Sequence, residues 1–388
     1  MSDRIIYMSI QEGVRFRVCQ QLLDGVMSES EAAGRLELSV RQVRRLKKRA
    51  SEEGLSGLAH RSRGRASPRR RPASERDRIR QLYRDRYSGW NMTHFTQRLA
   101  EQHGIGVSRE TVRELLKEDG SRPRRRRRRR HRRWRPRRHR EGELVQLDAS
   151  THAWLGDDGP GCVLLCAIDD ATSKVLWAEF FGGDGVLPNL MVMKRIVQRH
   201  GVPAELYVDQ HSIYFLDAEA LTAARQRGQA GLTQFGRVMK QLGVRMIRAR
   251  SPQAKGRVER SFRTLQDRLI KELADAGIKD IAGANRYLSA TFIPGYNRRY
   301  GVPAQETTLA FVKMDGQPQY NKLFCLRESR QVQNDYTISW HGQLIQLTAG
   351  AGLRAGHRVE VRTWLNGSIH VYFKGVKVPA RRLRRPTG

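Results

Sequence analysis

The sequence predicts a multidomain chain of three fold classes in succession: all-α at the N-terminus, mixed α/β on a five-stranded sheet in the middle, and small all-β at the end. Three observations predict this order. Up to residue 120 the apolar residues recur at helical spacing. From 143 short apolar strands alternate with amphipathic helices, and after 325 short strands are separated by frequent glycines. A chain of 388 residues has room for roughly two to four domains.

Residues 14–50 read as helices. Ser28 or Ser30 can cap a helix through SEAAGRL, LELS makes a turn, and Ser39 caps VRQVRRLKKRA. Ala32, Ala33 and Leu36, then Val40, Val43 and Leu46, give each helix one buried face. Arg41, Gln42, Arg44, Arg45, Lys47 and Lys48 point outward. This is a helix-turn-helix layout over 1–68, whose second helix can enter a major groove. A second such domain is expected over 69–120. Its last helix starts at Ser108 and offers Arg109 and Arg113 to DNA, although Glu110, Glu114 and Glu118 dilute the positive face.

Residues 121–142 are an Arg-rich linker. The run contains two prolines and is expected to be an extended tether until phosphate orders it. Arg124, Arg127 and Arg130 would then contact phosphate, and Trp134 would stack on a base or pack on the next domain. The core follows over 143–300. GELVQLDAS, CVLLCAIDD and KVLWAEFF read as an antiparallel meander, and LPNLMVMKRIVQRHG as a helix. ELYVDQ and VRMIRA are strands separated by the helix QFGRVMKQLG. SPQAKGRVERSFRTLQDRLIKEL is a long amphipathic helix, and GANRYLSATFIPGYNRRYG adds one more. The order βββαβαβα describes an RNase H-like layout, a mixed sheet flanked by helices. A linker over 301–325 leads to a small β-barrel over 326–388, seen in YTISWHGQLIQL, HRVEVRTWL and SIHVYF.

Charge narrows the partners. Lys and Arg number 73 against 39 Asp and Glu, a net +34, and removing the 14 arginines of 121–140 still leaves +20. The excess is spread along the chain, and such a surface binds nucleic acid by releasing counterions. No apolar stretch approaches the ~18 residues of a membrane span, and the start MSDRIIYMSIQEG has no signal-peptide core. Cys162 and Cys166 sit in the apolar run CVLLCAI and read as core thiols, and Cys19 and Cys325 are scattered. A cytoplasmic protein without a membrane partner is expected.

The chemistry starts from a carboxylate in a strand. Asp148 lies inside the first strand, Asp209 ends the fourth 61 positions later, and Glu259 opens the long helix another 50 on. In a sheet of this order the first and fourth strands are neighbours, so the two aspartates can converge while Glu259 approaches from the covering helix. Three gathered carboxylates repel unless a cation sits among them. Hard oxygen ligands select Mg2+ or Mn2+, and two ions can clamp the attacking and leaving oxygens of a phosphoryl displacement. Asp169 and Asp170 fall in a turn at the far end of the second strand and read as turn and cap residues, as do Asp157 and Asp158. His211 reads as a satisfied loop histidine. Lys255, Arg257, Arg260 and Arg263 surround Glu259 and are expected on the DNA backbone.

LVQLDAS, AIDDATSKVLWAEF, LYVDQHSIYF and SPQAKGRVERSFRTLQDRL resemble the integrase core of bacterial insertion-sequence transposases, the ISNCY type among them, over roughly residues 15–300. The resemblance implies a DDE transposase in which Asp148, Asp209 and Glu259 bind metal, water cuts at the element's end, and the freed 3′-hydroxyl attacks target DNA. It implies terminal inverted repeats and target DNA as partners, self-association on paired ends, and a place on the bacterial nucleoid. Two features depart from the pattern. The interval from Asp209 to Glu259 is longer than in integrases, with IYFLDAEALTAARQRGQAG as the insertion, and Gln266 stands where many relatives carry Lys or Arg. The alternative from another class is a DNA-binding regulator with a catalytically inactive core.

Overall fold

The computed structural model of the chain describes residues 9–59, 70–120, 136–228, 230–249, 256–314, 320–348, 350 and 352–383. The chain divides into two compact units, Met1–Arg86 and Tyr87–Gly388. In the first, α1 (Ile10–Leu23), α2 (Glu29–Leu36) and α3 (Val40–Glu53) precede a short α4 (Leu55–Leu58) and α5 (Ala73–Asp85). Ser28, rather than Ser30, caps α2 through a capping box with Glu31, and Ser39 caps α3 through another with Gln42. Between them Glu37 turns the chain in the left-handed region at φ 55°. Val18, Leu22, Ala32, Ala33 and Val43 form the core of this helix-turn-helix.

The second unit begins with α6 (Met92–His103) and α7 (Arg109–Glu118), so the region read as one domain over 69–120 is divided at Arg86. The mixed core follows: β1 (Leu144–His152), β2 (Cys162–Asp169), β3 (Val175–Phe181), α8 (Val186–Arg199), β4 (Glu205–Val208), α9 (Ala218–Gln226), α10 (Gln234–Leu242), β5 (Arg245–Arg248) and α11 (Gly256–Asp275). The expected insertion folds as α9. The sheet order is β3-β2-β1-β4-β5, with the first three strands antiparallel and β1, β4 and β5 parallel. Every residue of β2 is buried because both faces are covered. Leu165 and Ala167 join α8 and α10 on one face, whereas Leu164, Cys166 and Ile168 join Val258, Phe262 and Leu265 of α11 on the other. α12 (Ile281–Tyr287) and α13 (Ile293–Tyr300) continue that second face. The single helix expected there is interrupted by a π-helical turn, Leu288–Phe292, just before Pro294.

Both expected linkers are tied to the core where they are described. Arg137 donates to the Ser173 hydroxyl at 2.6 Å, and Arg138 pairs with Glu205 at 2.6 Å. Carboxylates and carbonyls at the end of the sheet thus take up the tail of the arginine run. Further on, Val202 and Val312 exchange backbone hydrogen bonds at 2.8 and 2.9 Å. Phe311 packs on Gly142, where a Cβ would stand 2.5 Å from its ring.

After the short α14 (Tyr320–Leu323), the β-rich end contains β6 (Cys325–Gln331), β7 (Thr337–Trp340), β8 (Gln343–Leu347), β9 (Arg358–Trp364), β10 (Ile369–Phe373), β11 (Val376–Val378) and β12 (Ala380–Arg382). These strands do not close into the expected barrel. Among the described residues they form two sheets, β11-β10-β9-β6 and β12-β8-β7, over a shared core that includes Ile338, Ile345, Val361 and Val371. Pro379 has no N–H for a ladder, and the chain changes sheet there. The module is docked on α10, where Gln234 Nε2 donates to the Arg327 carbonyl at 2.6 Å and Arg327 N donates back at 3.1 Å.

Candidate active site

β1 and β4 pair in parallel with Gln146 opposite Tyr207. Continuing that register by two residues sets Asp148 opposite Asp209, which directly follows β4. Along β1, Val145 and Leu147 turn to one core, leaving Gln146, Asp148 and Ser150 on the face covered by α11. Both aspartates are half-buried. Their charges are felt together at one hydroxyl: burial pushes the Tyr214 phenol up, and the carboxylates of Asp184, Asp209 and Asp148 push it further. Burial and Asp148 likewise raise the Cys166 thiol.

Glu259 lies in the first turn of α11 and is half-buried. Val258 N donates to Gln146 Oε1 at 3.3 Å, and Gln266 Nε2 donates to Ser150 Oγ at 3.3 Å, so α11 runs alongside β1 in the same direction. Glu259 is seven residues before Gln266 and therefore shares its helix face. The three acids line one end of the sheet without closing on a point. Among the described residues, no three His, Cys, Asp or Glu side chains stand together as a group able to hold an ion. The donor chemistry of the aspartate pair nevertheless fits a hard cation: two carboxylates on adjacent strand positions, within electrostatic range of one buried hydroxyl.

Two neighbouring acids are structural. Asp169, fully buried, accepts from Gly142 N at 2.9 Å and from Thr172 N and Oγ1 at 2.7 Å. Asp170 accepts from Gln146 Nε2 and from Arg257 Nη1, both at 2.6 Å, and from Arg138 N at 3.0 Å. This corrects the expectation for Arg257. Its side chain is 15% exposed and bound to a carboxylate that is 0% exposed, so it fixes the start of α11 instead of reaching for DNA. His211 lies in the loop: its backbone N–H donates to Asp209 Oδ1 at 3.1 Å and its ring Nδ1 accepts from Ile213 N at 3.3 Å. A network that the sequence did not reveal supports the Asp209 loop. Tyr214 OH donates to Asn189 Oδ1 at 2.7 Å, and Asn189 Nδ2 donates to Asp184 Oδ1 at 2.8 Å.

The basic residues separate by role. Arg41 and Arg45 of α3 are exposed, as is Lys48, which faces Glu52 at 3.7 Å. Arg44 is exposed too but bonds Glu29 at 2.7 Å, and Gln42 gives its carbonyl oxygen to the Ser39 cap. On α7, Arg109 is exposed, while Arg113 is forked between Glu110 and Glu114. Arg260 and Arg263 are exposed on α11. Arg124, Arg127, Arg130, Trp134 and Lys255 lie outside the described residues.

α6 is held on α11 by a buried charged cluster. His94 Nε2 meets Glu272 Oε1 at 2.9 Å, Arg98 meets Glu272 Oε2 at 2.8 Å, and Tyr287 OH donates to the same oxygen at 2.8 Å. Burial raises Glu272, but the His94 hydrogen bond and the Arg98 charge outweigh it and hold the carboxyl below its usual range. Burial drives His94 down despite its bond to Glu272, which favours the neutral imidazole above pH 6.5. The sign of the pH dependence follows. The unfolded chain takes a proton on His94 below pH 6.5 and on Glu272 below 4.5, where the folded chain resists it. Stability from His94 should therefore be fully present above pH 6.5 and be lost on acidification, with Glu272 adding its loss below 4.5. Thermal melts of wild type and His94→Gln should converge as the pH falls from 7 to 5. A constant difference across that range would refute a neutral His94.

A helix-turn-helix domain family matches residues 14–66, and a homeodomain-like domain family matches residues 42–116. A helix-turn-helix unit on a chain that also carries a mixed-sheet core is the make-up of a DNA-acting protein. The chain is 36% identical over 380 residues to the putative transposase y4bF of Sinorhizobium fredii (strain NBRC 101917 / NGR234), covering 97% of this chain and 82% of that one. It is 29% identical over 358 residues to the transposase for insertion sequence IS1202 of Streptococcus pneumoniae, covering 83% and 75%. The chain belongs to the insertion-sequence transposases. Among solved structures, it is similar to a chain in the simian T-cell lymphotropic virus intasome in complex with PP2A regulatory subunit B56 gamma. That match has 12% identity and a TM-score of 0.34 over 79% of this chain and 99% of that one. It is also similar to the HTLV-2 integrase catalytic core domain in complex with magnesium (dimeric form), at 14% identity and a TM-score of 0.29 over 38% and 86%.

Proposed function

We propose that this transposase binds the terminal inverted repeats of its insertion sequence, cuts DNA at the element's ends and joins the 3′-hydroxyls to target DNA by metal-dependent transesterification. The observation that carries the reading is the parallel register of β1 and β4, whose continuation by two residues sets Asp148 opposite Asp209. These two residues, with Glu259 from the first turn of α11, would hold two Mg2+ or Mn2+ ions. When bound, the ions supply charge neutralisation to the attacking and leaving oxygens. The chain's own part is to hold its carboxylates in β1, at the end of β4 and at the start of α11. Exposed Arg260 and Arg263 take the phosphate backbone beside them, and Arg41, Arg44 and Arg45 read bases in the major groove. Arg44 would exchange Glu29 for DNA. Each chain offers one set of acids and an element has two ends, so the working form is a dimer or higher oligomer on paired ends. The place of action is the bacterial cytoplasm, on the nucleoid.

The test uses the full chain and a labelled duplex carrying the DNA that flanks its reading frame. With Mg2+ the duplex should be nicked at the element's end and joined to a target plasmid, and a chelator should remove both products. Sequence-specific binding without cutting in Mg2+ or Mn2+ would overturn the reading and leave a DNA-binding regulator with an inactive core.

A further inference from the structure

The structure assigns a second phosphate site to this chain: a cleft bounded by α6, α11 and α13 that would hold one backbone phosphate of bound DNA, away from the acids. The cleft has a volume of about 420 Å3 and is lined by Arg98, Arg268, Arg298 and Arg299, with Glu101 and Glu272 among them. Four guanidiniums face two carboxylates, and burial disfavours a charge on the lining His94.

The excess charge is not spread evenly. Arg98 is matched by Glu272 at 2.8 Å and Arg299 by Glu101 at 2.8 Å. Arg268 is matched by neither. It is 4% exposed and donates to the neutral amide oxygen of Gln97 at 2.7 Å, with its guanidinium 5.4 Å from the Tyr300 ring centre. Among the described residues no carboxylate lies within ion-pair reach of it. A buried guanidinium with no carboxylate in contact, only the more distant charges of Glu272 and Asp267, is costly, and an anion in the adjoining cleft offsets that cost. Its planar fork suits two oxygens of a phosphate. The rim is open to a large ligand: Arg298 is exposed, and a Cβ at Gly295 would meet nothing within 4 Å. The π-helical turn Leu288–Phe292, a local distortion often found at functional sites, contributes Thr291 and Phe292 to the wall.

Arg268 stands nine residues after Glu259, which places it ~13 Å along α11 and half a turn around it. The phosphate bound here is therefore not the one being cut. α6, from the segment matched by the homeodomain-like family, forms one wall, so DNA in the cleft would bridge that segment to the core.

The proposal rests on the chain acting on DNA, but its readout is binding rather than cutting. Fluorescence anisotropy of the flanking-DNA duplex, followed between low and moderate salt, should show Arg268→Gln and Arg298→Ala each flattening the log–log salt slope by about 0.9, the loss of one phosphate contact. Arg298 is exposed, so its variant should keep the wild-type melting temperature and decides the matter if Arg268→Gln does not fold. In the second arm, inorganic phosphate and ATP are titrated into wild type by calorimetry, and neither should saturate a site. Unchanged slopes in folded variants would overturn the proposal. So would ATP binding that Arg298→Ala abolishes without altering the DNA slope, which would mark a site for small phosphate compounds. Flattened slopes in a chain that never cuts DNA would leave the cleft assigned and overturn only the catalytic reading.

Discussion

Asp209→Asn should abolish cleavage and strand transfer while leaving binding to the element's ends within about twofold of wild type, and Asp148→Asn should do the same. Changing a residue that merely orients a metal ligand costs about 10–100-fold, so removing the charge of a ligand itself should cost more than that. Binding is spared because its determinants are elsewhere. The exposed Arg41 and Arg45 lie in the first unit, and neither aspartate belongs to the exposed basic surface. Asparagine keeps the shape of the strand ends, and β1 and β4 are held by backbone pairing that neither change touches. Glu259→Gln should behave alike. The check is a single-turnover assay on pre-bound ends with Mg2+, alongside anisotropy for binding. Strand transfer at near wild-type rate by any one variant would remove that residue from the catalytic set.

The aspartate pair was legible because a charged residue inside an apolar strand demands a reason, and the order of strands and helices predicts which strands are neighbours. The local sequence likewise placed Ser39 as a cap, the start of α7 at Ser108 and α11 as a long amphipathic helix. What stayed hidden depends on contacts between residues far apart in sequence. Nothing local tells that Arg257 will meet Asp170, 87 residues earlier, or that His94 will meet Glu272, 178 residues later. An arginine beside a candidate catalytic acid reads as a DNA contact until its carboxylate is found. The tail of the arginine run misled similarly, since Glu205 and Ser173 are the groups that pin it. The barrel failed on a local detail that was visible, Pro379, whose effect depends on which sheets lie either side of it.

The clasp at Asp170 should be the most damaging place to change a residue that does not belong to the proposed catalytic set. Its Oδ1 receives both Gln146 and Arg257, and its Oδ2 receives Arg138 N, so one buried carboxylate ties the start of α11 to β1 and to the tail of the arginine run. Asp170→Ala leaves the Arg257 guanidinium, 15% exposed, without this carboxylate. Breaking a buried pair from one side costs about 3–5 kcal/mol, which for a unit of this size lowers Tm by about 5–8 °C. Activity should fall further than the melt implies at a temperature where the chain is still folded. The Val258–Gln146 bond that positions Glu259 depends on Gln146 being held by Asp170. Replacing both partners with leucine should recover much of the stability, because two apolar residues leave no buried charge, yet should not recover strand transfer. Arg257→Ala separates the two accounts of that arginine. A clasp residue lowers Tm and leaves the salt slope of DNA binding unchanged. A phosphate contact flattens the slope by about 0.9 at constant Tm, and that result would return Arg257 to the DNA surface.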